Sequence, residues 1–271
     1  MDYSPAEHPA RALAAVHLDP AALRCADGLA IVEIAGRDSV AAAVAAVRER
    51  GFRTVLPTAV ATGTDYGDEG TPARAAKMLM DILGSSVEVL PLVRIGSPAL
   101  WSALNGRYAA VLRGRYGLHS PCLACHLYMH LCRLPLAWEL GDAPIVAGER
   151  DTHGGRLKVS QMPLGIDACV RVLARAGVEL VEPIRHVHSA EEIVGLVGDG
   201  WEQGAKQLGC VLGGNYADLD GDVTLDEFAY ARFVRGYLEP AGDAVVSAWR
   251  VEAEPDYDAI VRAVIEGPEA A

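Results

Sequence analysis

The sequence predicts an α/β protein built on a parallel, doubly wound sheet, and three observations carry that prediction. Short apolar runs alternate with helical patterns from residue 29 to a helix that starts near Ser189. Polar, glycine-bearing stretches at 35–39, 62–68 and 149–155 follow three of these runs. A hydrophobic content of 51% in 271 residues supports a substantial core. Sheets of this kind bind ligands at the carboxyl ends of their strands, so the loops after the apolar runs are where chemistry is expected.

Residues 1–27 are an Ala- and Arg-rich preamble broken by Pro5, Pro9 and Pro20, expected to form an N-terminal helical extension. The main domain is expected over residues 28–215. It begins with a strand at 29–34, a tight turn at 35–39 and a helix at 40–50. A strand at 53–57 leads through a polar stretch at 62–68 to a helix near 72–83 and a strand at 87–93. Later come a strand at 143–148, a polar loop at 149–155, a helix at 165–176 and a strand at 178–181. Ser189 precedes Ala-Glu-Glu, the form of an N-cap with an acidic first turn. Residues 216–271 are expected as a C-terminal extension packed on the same domain, with an alternating run at 244–251 and a helix at 257–265.

Composition restricts function. A net charge of -12 argues against a basic surface that tracks a phosphate backbone, so nucleic acid is not expected as the main partner. Arg113, Arg115 and Arg133 could form a local basic patch, but scattered arginines read as solvated surface. Six cysteines, at 25, 122, 125, 132, 169 and 210, do not form a disulfide framework and suit a reducing cytoplasm. No stretch reaches the roughly 18 apolar residues of a membrane span, and the first residues lack a signal-peptide pattern. A protein outside the membrane is expected, and its acidic, apolar-rich composition allows a homodimer.

The chemical centre is placed at residues 121–132, Pro-Cys-Leu-Ala-Cys-His-Leu-Tyr-Met-His-Leu-Cys, which hold three of the six cysteines and two of the eight histidines. A C-x-x-C spacing brings two thiolates within reach of one metal or cluster. The alternative is a cysteine-rich core helix. Gly36, Asp38 and Ser39 sit where a strand gives way to a helix, where backbone N–H groups and the helix dipole can hold a phosphate. The alternative there is an ordinary turn capped by Ser or Asp. The segment is neither a Walker A loop nor G-x-G-x-x-G. Asp218, Asp220, Gly221 and Glu227 match part of an EF-hand loop, but Tyr216 stands where the leading carboxylate belongs, so an acidic turn is expected.

Taken in order, these segments carry a resemblance. Ile34-Ala35-Gly36-Arg37-Asp38-Ser39 resembles the S-G-G-x-D-S signature of the PP-loop (N-type) ATP pyrophosphatases. Cys122-x-x-Cys125, Met129, the run at 143–148 ending in Gly148-Glu149, and Gln161 are similar to the thiouridine and thiocytidine tRNA thiolation enzymes. Residues 181–193 are similar to a later segment of that family, and Cys210 falls where its third cysteine is expected. The resemblance spans about residues 28–215. Ile34 and Ala35 depart from it, replacing a Ser and a Gly of the signature.

The resemblance implies a PP-loop/HUP-type sheet and an Fe-S-dependent enzyme that moves sulfur into, or out of, a small molecule or nucleobase. It implies ATP with Mg held by Ala35, Gly36, Arg37, Asp38, Ser39 and Gly148, and a 4Fe-4S cluster on Cys122, Cys125 and Cys210 with one iron left open. Arg37, Asp38, Glu149, Arg150 and Lys158 are the implied catalytic set, the cations stabilising charge at the phosphates. A sulfur donor is the implied partner, and no segment resembles the RNA-binding domains of tRNA thiolases. The activity is that of a sulfurtransferase or, without ATP, of a desulfidase. Thiolates suit zinc as well as iron, and three ligands leave an open position where four close the site. Cys132 lies about 10 Å along a helix from Cys125, too far to share one ion. His126 is a candidate fourth ligand, and Cys25 and Cys169 are expected in the core. Two further readings stay open: an amide- or nitrile-forming ligase of the same fold with structural zinc, and a non-catalytic nucleotide- or redox-sensing module.

Overall fold

The computed structural model describes residues 9–153, 157–201, 207–252 and 254–267. After α1 (Pro9–Ala15) and α2 (Pro20–Arg24), the first apolar run forms β1 (Leu29–Glu33), buried along its whole length. Helix α3 (Arg37–Arg50) follows, then β2 (Thr54–Val60), the short β3 (Asp65–Tyr66), α4 (Thr71–Leu83), β4 (Glu88–Val89) and β5 (Val93–Ile95). Helices α5 (Pro98–Trp101), α6 (Ala109–Tyr116) and α7 (Pro121–Glu139) lead to β6 (Ile145–Val146). The rest comprises α8 (Pro163–Arg175), β7 (Leu180–Val181), α9 (Ala190–Val197), β8 (Gly209–Cys210), α10 (Glu227–Phe233), α11 (Glu239–Trp249) and α12 (Tyr257–Glu266).

The fold is the predicted one: a doubly wound α/β protein whose sheet runs β4-β2-β1-β6-β7, with β5 also beside β2 and every pair parallel. Side chains alternate across it, as the two-residue period of a strand requires. Ile31 enters the core beneath α7 and α8, while Ala30 and Val32 enter the core beneath α3, α4 and α9. Helix α3 is buried at every residue from Ser39 to Ala46. Its alanine run lets it lie close between the sheet and its neighbouring helices. The chain moves outward from β1 through β2 to β4 and β5, then returns to the other side of β1 with β6 and β7. The order therefore reverses between β1 and β6, which is where such sheets open a crevice.

Several boundaries differ from expectation for identifiable reasons. The strand expected at 87–93 is divided into β4 and β5, which pair with successive parts of β2. Pro57 sits between those parts on the same edge, where Arg53, Val55 and Ala61 meet β4 and β5, and its missing N–H coincides with the break. The alternating run at 244–251 is mostly helix: burial falls at Ala241, Gly242, Val245 and Val246, a helical spacing. Cys25, expected in the core, caps α2 and is exposed. Ser189 and Glu192 do form the reciprocal bonds of a capping box at α9.

The C-terminal helices share the core of the sheet domain. Tyr230, Phe233, Tyr237 and Val245 join the cluster that contains Leu127, Leu131 and Val172 from α7 and α8. Among the described residues no helix is long and apolar enough to cross a membrane.

A β-carbon on Gly148 would lie 2.6 Å from both Cα and N of Ser39, so the segment after β6 passes against the start of α3 with no room for a side chain. Backbone cannot step aside cheaply, and Gly148→Ala is expected to cost about 1–3 kcal/mol in urea unfolding. Gly114→Ala, in α6 with nothing within 4 Å of the added carbon, is expected to stabilise by about 0.5–1 kcal/mol.

Candidate active site

A cavity of about 610 Å³ opens at the carboxyl ends of β1 and β6, where the strand order reverses. Its size is that of a small-molecule site. Ala35, Gly36, Arg37, Asp38, Ser39, Cys122, Cys125, Gly148, Glu149, Arg150, Lys158 and Cys210, the residues singled out from the sequence, all line it.

The first wall is the amino end of α3. Ser39 Oγ accepts the N–H groups of Ala35 at 2.9 Å and Gly36 at 3.0 Å, and donates to the Gly36 carbonyl at 2.8 Å. The turn is thus closed by its own hydroxyl. The first N–H groups of a helix have no intrahelical acceptor, and the residues that carry them here, Arg37, Asp38 and Ser39, line the cavity. Asp38 accepts from Arg37 Nε at 3.3 Å and Arg150 Nη1 at 3.2 Å. Arg150, 4% exposed, also donates to the carbonyls of Val187 at 2.9 Å and His188 at 3.1 Å. Its guanidinium is engaged on three sides and clips the 187–188 segment to α3. Arg150, implied as a charge stabiliser at the phosphates, lines the cavity while bracing the turn through these bonds. Lys158 stands on the exposed rim. Its pKa is lowered, first by partial enclosure and also by Arg150 and Arg37, against the pull of Asp38 and Glu149. Enclosure, with Lys158 and Arg150 nearby, holds His153 at about 4, so its imidazole is neutral at pH 7.

The second wall is α7. Cys122, Cys125, His126, Met129 and Arg133 recur at three- and four-residue spacing and present one face to the cavity. Arg133, read from the sequence as solvated surface, is 1% exposed. It pairs with Glu33 Oε1 at 3.5 Å, donates to Thr58 Oγ1 at 2.9 Å and donates to the Met129 carbonyl at 2.8 Å. Glu33 Oε2 accepts the Gly148 N–H at 3.2 Å. Glu149, 3% exposed, meets His126 Nδ1 at 2.6 Å and His130 Nε2 at 3.4 Å, and accepts from Gln161 Nε2 at 2.6 Å. Burial opposes charge on both partners of the His126–Glu149 pair, but their attraction dominates. Glu149 is held well below the usual carboxylate range and His126 is raised. With Nδ1 given to Glu149, the His126 ring is fixed in one orientation at the cavity wall, and only its Nε2 is left to serve as the fourth ligand considered from the sequence.

The third wall is sulfur. Cys122 lies in the first turn of α7, where Ser120 caps its N–H, and its Sγ accepts from Asn215 Nδ2 at 2.9 Å. The antiparallel ribbon of β3 and β8 pairs Asp65 with Cys210 and brings that thiol 3.3 Å from Thr64 Oγ1. Burial pushes the Cys125 thiol up to about 12, reinforced by nearby Cys122 and Cys210. Burial also raises Cys122, with Asn215 pulling the other way. Cys210 is close enough to contribute to the rise at both Cys122 and Cys125. Among the described residues no three His, Cys, Asp or Glu side chains stand ready-arranged around an ion. In type and number the three thiols nevertheless fit a soft, thiolate-bound centre. Cys132 packs against the core further along α7, and Cys169 is buried.

The loop at 216–226 is an acidic turn. Asp218 Oδ1 accepts the N–H groups of Asp220 and Asp222, and Asp226 caps α10 through Phe228 and Ala229.

No protein-family model matches the chain. A protein of Methanocaldococcus jannaschii (strain ATCC 43067 / DSM 2661 / JAL-1 / JCM 10045 / NBRC 100440), "Uncharacterized protein MJ0009", is 38% identical over 217 residues, covering 79% of this chain and 78% of its own length.

The His126–Glu149 pair gives stability a defined pH window. Glu149, lowered from 4.5, contributes stability that is present above that pH and is lost as pH falls through its folded value. His126, raised from 6.5, contributes stability that is full below that pH and is lost as pH rises through its folded value. Calorimetry of wild type and Glu149→Gln is expected to show the largest difference between those pH values, on the order of 3–5 kcal/mol, narrowing on both sides. Imidazole NMR is expected to show His126 titrating lower in the variant.

Proposed function

The chain belongs to the same family as that archaeal protein, and we propose that it is a PP-loop-type enzyme that transfers sulfur to or from a small molecule or nucleobase in the cytoplasm. One observation carries the reading: a single cavity joins the amino end of α3, with its basic side chains, to three thiols drawn from α7 and β8. The parallel sheet and the reversal of strand order beside β1 are compatible with a PP-loop/HUP domain. All six cysteines are free thiols, in keeping with a reducing compartment.

In this reading ATP with Mg lies against residues 35–39, its phosphates facing the α3 N–H groups while Lys158 and Arg37 balance their charge. A carbonyl oxygen of the substrate bonds to the α-phosphorus and the bond to the departing pyrophosphate breaks. A sulfur donor then adds at the activated carbon, and AMP leaves with the oxygen. Activation and displacement divide one difficult substitution into two easier ones. Glu149 holds His126 in one orientation at the cavity wall, and Arg150 fixes the helix start by its bond to Asp38. Cys122, Cys125 and Cys210 would hold a 4Fe-4S cluster, which when bound supplies an open, thiophilic coordination position.

A second reading has its own support. Ala35 and Gly36 direct their N–H groups to Ser39 rather than to the cavity, which favours desulfuration without nucleotide. ATP–pyrophosphate exchange separates the two. Exchange that falls about 100-fold in Lys158→Met supports activation by ATP, whereas no exchange in wild type supports the desulfidase.

Purification without oxygen and analysis for iron, sulfide and zinc tests the centre. About four irons and four sulfides per chain are expected, lost in Cys122→Ala, Cys125→Ala and Cys210→Ala and kept in Cys25→Ala. Full metal content in Cys210→Ala overturns the three-cysteine site. About one zinc moves the assignment to an amide- or nitrile-forming ligase.

A further inference from the structure

Gly36 opens α3 with extended backbone, φ −173°, so a left-handed conformation is not what keeps the position small. Space is. A β-carbon there would lie 2.7 Å from Cδ and 2.8 Å from Oε1 of Gln207, so the carboxamide of Gln207 rests directly on Gly36 in the turn. Gln207 is three positions before Cys210, and both line the cavity together with Gly36 and Asp38.

The intervening residues transmit position well. Gly209 and Cys210 pair with Tyr66 and Asp65, and the Val211 N–H donates to the Thr64 carbonyl at 2.9 Å. The Tyr66 ring lies against Gly209, 2.4 Å from where a β-carbon would stand. Cys210 is held at its sulfur by Thr64 Oγ1 at 3.3 Å. The ribbon therefore has a carboxamide at one end on the helix start and a thiol at the other, in a span too short for the ends to move independently.

We propose that Gln207 is a positioning residue: an anion bound at the α3 turn engages the Gln207 carboxamide and thereby orders the ribbon that carries Cys210. A carboxamide suits the role because it donates to anionic oxygen through its N–H₂ without bringing a net charge. The inference rests on the reading of residues 35–39 as a nucleotide-phosphate site. It goes beyond it in linking occupancy of that site to the order of the ribbon that carries Cys210.

The probe is inorganic pyrophosphate, with binding measured by calorimetry and ribbon order by hydrogen exchange of peptides spanning residues 207–212. In wild type, pyrophosphate is expected to slow exchange at Cys210 and Val211 at least fivefold. In Gln207→Ala, pyrophosphate is expected to bind within about fivefold of wild type but to leave that exchange unchanged. Exchange in α7 should be identical in both proteins, which shows that the variant is folded. Gln207→Glu, of the same shape but anionic, is expected to weaken pyrophosphate at least tenfold by like-charge repulsion. Pyrophosphate that binds wild type without slowing the ribbon, or that slows it equally in Gln207→Ala, overturns the coupling while leaving the phosphate site standing. Absence of any pyrophosphate binding to wild type overturns both.

Discussion

Glu33 ends the central strand as a buried carboxylate, and the arrangement of the cavity follows from how that charge is met. Arg133 reaches it from α7, the Gly148 N–H reaches it from the segment after β6, and Thr58 on β2 holds the arginine in place. Three elements are thereby brought to a common floor. A buried charge without partners costs several kcal/mol, so these elements cannot drift apart without a large penalty. The lowest layer of the cavity is thus set by electrostatics, and the hydrophobic layers on either side of the sheet supply the bulk of the stability.

A second polar layer lies above the first. Glu149 follows Gly148 directly, and its carboxylate collects His126, His130 and Gln161. Because Gly148 lies against Ser39, the segment that carries Glu149 is pressed onto the start of α3. Arg150, the next residue, ties the 187–188 segment to Asp38. Three consecutive residues therefore serve three functions: close packing, orientation of imidazoles and bracing of the helix start. Substitution at any one of them disturbs the others through the backbone they share.

The thiols are placed differently. Cys122 and Cys125 come from one turn of a helix whose apolar residues are buried in the core, so their spacing is a local property of α7. Cys210 arrives on a two-residue ribbon held by β3 and by Thr64. Burial disfavours the thiolates of Cys122 and Cys125, and the neighbouring sulfurs add to that. Such a group is stable as thiols and becomes a strong ligand set only when a cation compensates its charge.

What the sequence determined by itself was local. The turn at 35–39, the C-x-x-C and the run into Gly148 and Glu149 are short patterns whose physical meaning is carried by neighbours, and the alternation of apolar runs and helices suffices for a doubly wound sheet. Cys210 was found through resemblance, because no local pattern marks it. What only the tertiary structure decided is which charges are buried and against what. Arg133 reads as surface because a lone arginine in a helix gives no sign that a carboxylate a hundred positions earlier lies beneath it. That Arg150 is held by the carbonyls of Val187 and His188 has no sign in the residues beside it in the chain. Gln207 carries no sequence signal, since its contact with Gly36 joins segments remote in the chain. Hydrophobic period and turn chemistry act over a few residues, whereas ion pairing and close approach act through space, and the fold alone brings those partners together.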